Sequence, residues 1–148
     1  LKNKVRKQIT LYSDGSSLGN PGPGGYGVIL EYKGTRKSYS GGEPDTTNNR
    51  MELTGVIEGL KKLKEPCSVH VISDSSYVVK AINEWLAGWV QKDFAKVKNI
   101  DLWKAYLEAS KPHDITASWV RGHNGHKENE ECDIMAREEA MKIKGFVR

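Results

Sequence analysis

The 148 residues describe an α/β domain: a five-stranded mixed sheet covered by helices. Near the start, three strand-like stretches follow one another through short links, the pattern of an antiparallel meander. Past residue 46 the apolar period lengthens from two to near 3.6, and helices then alternate with two more strands. The order three strands, helix, strand, helices, strand, helix predicts a sheet with antiparallel and parallel parts.

Ile9 to Ser13 alternates, with Ile9 and Leu11 on one face and Thr10 and Tyr12 on the other, and this strand is expected to end at Asp14. "GNPGPGG" reads as a turn, because Pro21 and Pro23 lack donors and the glycines permit unusual dihedrals. Gly25–Tyr32 and Thr35–Ser40 are strands joined at Gly34. Leu53, Val56, Ile57, Leu60 and Leu63 form a helical stripe, with Thr46 or Thr47 as its cap and Pro66 beyond its end. Glu52, Gly55 and Gly59 lie on an adjacent stripe; the glycines fit a face packed tightly on a strand, which carries Glu52 toward the sheet. Val69–Ser73 is a fourth strand ending at Asp74, and Ser75–Trp85 a helix. "GWVQKDFAKVKN" has no clean period. Ile100–Ala109 is a helix, Ile115–Val120 a fifth strand and "RGHNGHKENE" a link. Glu128–Ile143 is a final helix, with Cys132, Met135, Ala136 and Ala140 as its buried stripe.

This length suits one domain, taken as residues 1–148. No apolar run nears the roughly 20 residues that span a bilayer, so no membrane partner is expected. Cys67 and Cys132 are too few and too distant for a disulfide framework, and with no export signal the expected compartment is the reducing cytoplasm. A net charge of +4 mildly favours a polyanionic partner.

Four acids stand out among 19: Asp14, Glu52, Asp74 and Asp133. Two end strands, one sits on the sheet-facing side of the first helix, and one opens the last helix. Sites in open α/β sheets gather at the carboxyl ends of strands. Carboxylates brought together there repel, and either protonate or bind divalent cations. Hard oxygen donors suit Mg²⁺ or Mn²⁺, which bridge carboxylates and phosphates. A cation between them lets Asp14 stand before a glycine-rich loop that would otherwise suggest a phosphate cradle.

The stretches "SDGSSLGNPGPGGYG", "TTNNRMEL", "VISDSSYV", "VKNIDLW" and "WVRGHNGHKENEECD" occur in this order. Together, from Gln8 to Ala140, they closely resemble the bacterial type 1 ribonucleases H. The resemblance implies a ribonuclease H-like fold and hydrolysis of the RNA strand of RNA–DNA hybrids, leaving 5′-phosphate and 3′-hydroxyl ends. It implies two Mg²⁺ ions in the substrate complex, with Mn²⁺ a substitute. Asp14 would bridge them, Asp133 would complete the ion at the attacking water, and Glu52 and Asp74 would hold the ion at the leaving oxygen. His123 matches the family's mobile-loop histidine, which shuttles a proton or helps product leave; a surface histidine is the plainer reading. A zinc site of His123, His126 and Cys132 lacks a fourth ligand at finger-like spacing.

For substrate binding the resemblance points to backbone near Gly15 and Ser16, to Asn20 and Thr47 for a DNA-strand phosphate, and to Asn48 and Asn49 for minor-groove edges. The asparagines serve equally in turn and cap chemistry. Ser76 stands where many relatives carry glutamine, and serine is the shorter side chain for that minor-groove contact. Trp85, Trp89, Lys92, Phe94, Lys96 and Lys98 match the family's basic protrusion, here shorter and diluted by Glu84 and Asp93; Trp85 and Trp89 serve as well in the core. The expected role is removal of primer and R-loop RNA by a monomer that needs no protein partner and no separate hybrid-binding module. Two alternatives remain: a catalytically silent hybrid-binding module, and an integrase-like nuclease of the same fold.

Overall fold

The computed structural model describes residues 5–121 and 126–147. Strands β1 (Lys7–Ser17), β2 (Gly22–Tyr32) and β3 (Thr35–Thr46) form the meander. Helix α1 (Asn48–Lys61) leads to β4 (Cys67–Ser73). Helix α2 (Ser76–Lys80), a π-helical turn (Ala81–Trp85) and α3 (Leu86–Gln91) follow. Then come α4 (Ile100–Ser110), β5 (Asp114–Trp119) and α5 (Lys127–Val147). The sheet order is β3-β2-β1-β4-β5. β1 runs antiparallel to β2 and parallel to β4, and β4 runs parallel to β5. The expected mixed sheet is therefore the one formed.

One face of the sheet carries the main core. Leu11, Val28, Val69 and Val71 meet Leu53, Val56 and Leu60 of α1 and Trp103 of α4, all buried. Helix α5 crosses the opposite face, burying Cys132, Ala136 and Ala140; Met135 is only partly covered. That helix lies close because β2 presents Gly27, where a side chain would meet the Cys132 carbonyl within 2.5 Å.

Several boundaries differ from those read in the sequence. β1 does not stop at Asp14 but pairs onward with β2 through Ser17, and β3 runs to Thr46. Ladder hydrogen bonds hold these glycine-rich ends extended where composition alone reads as turn. The helix expected over Ser75–Trp85 is interrupted by the π turn and continues as α3. Beyond it, Asp93, Phe94, Lys96 and Asn99 have positive φ, from 52° to 62°. A chain that repeatedly visits the left-handed region shows no regular apolar period.

Candidate active site at the end of the central strands

The cleft forms where β4 ends and its pairing with the parallel neighbour β1 stops. Asp14 lies in β1 one residue past the Ser13–Ser73 pairing, and Asp74 follows Ser73. Register alone thus sets two acids side by side. Helix α1 brings the third. Thr47 caps it by accepting from the Arg50 backbone N–H at 3.2 Å. Glu52, in the second turn, reaches Gly15 of β1.

Gly15 makes that approach possible. Any side chain there would collide with the backbone of Met51 and Glu52. Without one, the Gly15 N–H donates to Glu52 Oε1 and also to Asp14 Oδ1, the latter at 2.8 Å. The glycine after the first acid is thus a close-packing residue.

Asp14, Glu52 and Asp74 each offer a carboxylate oxygen, all within 4.8 Å of one another. Asp14 is 6% exposed and Glu52 8%. Burial pushes the Asp14 carboxyl up from 3.8 to about 7, with the charges of Asp74 and Asp133 adding to the rise. The bonds from Glu52 and Gly15 pull it back in part. Burial likewise raises Glu52 well above its ordinary value, reinforced by its bond to Asp14 and by the charges of Asp14 and Asp74. These acids repel, and among the described residues none of Asp14, Glu52 and Asp74 forms an ion pair with a cationic side chain.

Asp133 of α5 lines the same cleft but lies outside the tight group of three. Its carboxylate pairs with Arg137, one turn along, at 2.9 Å. The first turn of α5 is pinned to the sheet by Asn129, whose Nδ2 donates to the Ile72 carbonyl at 3.1 Å. Sequence reading passed over Asn129; its signal was the four-residue spacing to Asp133, which sets both on one helical face. Ser75 and Tyr77 also line the cleft. Ser75 caps α2 by accepting from the Val78 N–H at 3.2 Å.

Of the substrate candidates, Gly15, Asn48, Asn49 and Ser76 line the cleft. Asn48 Oδ1 accepts from the Ser17 N–H at 2.7 Å, so a substrate contact would fall to its amide hydrogens. Ser16 and Thr47 sit just behind, in β1 and at the cap of α1. Asn20 is in the exposed connection between β1 and β2 and does not line the cleft. Lys92, Lys96 and Lys98 are exposed. Trp85 is 38% exposed and stacks obliquely on Trp89, which meets buried Trp103. The two tryptophans thus join the protrusion to the core. Phe94, within the stretch that matches the basic protrusion, is buried, so it anchors the segment instead of facing solvent. His123 lies outside the described residues; His126 borders the acidic cleft, and Cys132 is buried between α5 and the sheet.

Comparison with known proteins identifies the family and the fold. Residues 6–141 match the RNase H family model. A ribonuclease H of Sulfurovum sp. (strain NBC37-1) is 73% identical over 144 residues, covering 97% of this chain and 98% of that protein. Ribonuclease HI of Helicobacter pylori (strain ATCC 700392 / 26695) is 60% identical, covering 92% and 95%. Among solved structures, LC9-RNase H1, described as a type 1 RNase H with the type 2 active-site motif, superposes with a TM-score of 0.85 at 33% identity, covering 95% of this chain and 75% of that one. LC11-RNase H1, solved in complex with an RNA/DNA hybrid, shares the fold at a TM-score of 0.69 and 23% identity, covering 90% and 97%. This chain belongs to the ribonuclease H family, among its bacterial type 1 members.

Proposed function

We propose that the chain is an endoribonuclease that cuts the RNA strand of RNA–DNA hybrids with the aid of two divalent cations, Mg²⁺ by preference and Mn²⁺ as a substitute. The products are 5′-phosphate and 3′-hydroxyl ends. The observation that carries this reading is the meeting of three carboxylates within 4.8 Å, two of them buried. Their all-oxygen, mutually repelling donor set fits a hard cation, because a bound ion removes the repulsion that burial creates. Asp14, Glu52 and Asp74 would hold it, with Asp133 completing the set from α5. When bound, such cations make water nucleophilic near neutral pH and offset charge developing on phosphate oxygens.

The chain's own groups do the remaining work. The Gly15 N–H bonds both Glu52 and Asp14 and so holds the two carboxyls beside each other. Asn48 and Asn49, in the first turn of α1, offer amide groups where the helix terminus favours a phosphate. Ser76 offers a hydroxyl beside Asp74. Lys92, Lys96 and Lys98 supply sequence-independent phosphate contacts that set register. His123 would carry a proton between the reaction site and solvent.

In the same reading the chain acts in the cytoplasm as a monomeric catalytic domain over residues 1–148, clearing primer and R-loop RNA. Among the described residues, no helix is long and apolar enough to cross a membrane.

The test is cleavage of labelled RNA–DNA hybrid, duplex RNA and duplex DNA with Mg²⁺, Mn²⁺ or EDTA. Metal-dependent cutting of the hybrid's RNA strand alone is expected. Binding without cutting would establish the silent module, and cutting of duplex DNA the integrase-like nuclease.

A further inference from the structure

We propose that a brace of side chains centred on Arg50 fixes the distance between the acidic cleft and the lysine-bearing protrusion, and so sets affinity for hybrids long enough to touch both. The inference rests on the hybrid-cleaving activity proposed above. Arg50 stands on α1, two residues before Glu52. Its guanidinium grips Asp101, at the start of α4, with both nitrogens: Nη1 to Oδ1 at 3.0 Å and Nη2 to Oδ2 at 2.7 Å. Nη1 also donates to Asn99 Oδ1 at 3.3 Å. Asn99 Nδ2 donates to the Tyr77 hydroxyl at 3.1 Å, and the indole N–H of buried Trp103 donates to the same oxygen at 2.9 Å.

The placement of these residues gives the network its meaning. Glu52 follows Arg50, and Tyr77 comes three residues after Asp74, so each end of the network adjoins a catalytic acid. Asn99, between them, is where the protrusion returns to the domain. Residues 92–99 belong to no sheet, and Asp93, Phe94, Lys96 and Asn99 hold left-handed dihedrals. Its backbone bonds are local turns, such as the Phe94 N–H to the Trp89 carbonyl at 2.7 Å, so its position relative to the rest of the domain is set by its ends and its side-chain anchors. Phe94 anchors its middle in the core, and the Arg50 contacts anchor its returning limb. A two-pronged guanidinium–carboxylate bond fixes orientation as well as distance. With the limb released, the lysines would sample many positions relative to the acids. A long hybrid would then lose the benefit of two contacts held at one spacing.

Asp101→Ala, at an exposed carboxylate, tests this. KM and kcat are measured on a hybrid of two full helical turns and on one too short to reach the protrusion from the cleft. The expected result is a KM about three- to fivefold higher on the long hybrid, with kcat within twofold and both constants unchanged on the short one. The charge-exchanged pair Arg50→Asp with Asp101→Arg should recover part of the loss. Equal change on both hybrids, or none on either, would overturn the brace. If Asp101→Ala lowers the thermal midpoint enough to obscure the comparison, Arg50→Lys, which keeps the charge and loses the fork, must give the same length-dependent KM. A wild-type chain that cut neither hybrid would overturn the activity itself, a result distinct from loss of length dependence.

Discussion

Asp14→Asn should make the metal-free protein more stable. The wild-type carboxyl titrates at about 7 in the folded protein against 3.8 in a free chain, chiefly because it is buried. Between these values the folded state holds a proton that the unfolded state has released. Stability from this group is therefore fully present below about 3.8 and is lost as the pH rises through about 7. At about 1.4 kcal/mol per tenfold change in the proton equilibrium, the full effect is on the order of 4 kcal/mol. Asparagine has nearly the same shape, can still accept from the Gly15 N–H, and carries no charge. Taking about half the full effect, because water entry and relaxation soften buried charge, the midpoint should rise by roughly 4–8 °C for a chain of this size. The assay is thermal unfolding in EDTA at pH 8 and pH 5, followed by circular dichroism. At pH 5 the wild-type group is mostly protonated and the difference should shrink. Adding Mg²⁺ at pH 8 should raise the wild-type midpoint and leave the variant nearly unmoved. A variant no more stable than wild type at pH 8 would refute the claim that these acids strain the metal-free fold.

The same substitution should lower kcat on hybrid by more than about a hundredfold in Mg²⁺, measured in single turnover; retention of full activity would remove Asp14 from the cation site. Gly15→Ala should cost roughly 1–3 kcal/mol by overpacking and most of the activity, since α1 must shift and carry Glu52 with it; denaturant unfolding and cleavage rates check both. Each of Lys92→Ala, Lys96→Ala and Lys98→Ala should leave kcat nearly unchanged, weaken hybrid binding and reduce the salt slope by about one if that lysine meets a phosphate, read by anisotropy across a salt series. Cys132 should resist thiol reagents in the native protein: it is fully buried, and burial raises its thiol well above the ordinary value.

Much of the site could be read in the sequence because its parts are short-range features. Asp14 and Asp74 follow short runs rich in alternating or β-branched apolar residues, a local pattern that favours strands. The stripe of Glu52, Gly55 and Gly59 announced a helix face pressed on a sheet, and Gly59 does pack against Leu11 and Val28. The mixed sheet followed from the order of elements. The protrusion could not be read this way, since left-handed dihedrals at Asp93, Phe94, Lys96 and Asn99 leave no periodic trace. Nor could the interior position of Phe94, which depends on where α4 lies.

By itself, the sequence determined the order of the five strands and the main helices, which acids follow the apolar runs, and which family the motifs resemble. Only the tertiary structure decided that Asp14, Glu52 and Asp74 meet within 4.8 Å while Asp133 leans on Arg137. It also decided that Gly15 serves close packing and that Arg50 on α1 bonds Asn99 and Asp101 at the start of α4. Periodicity and turn chemistry act over a few neighbours, whereas a carboxyl raised to about 7 arises from burial among groups brought together from distant parts of the chain.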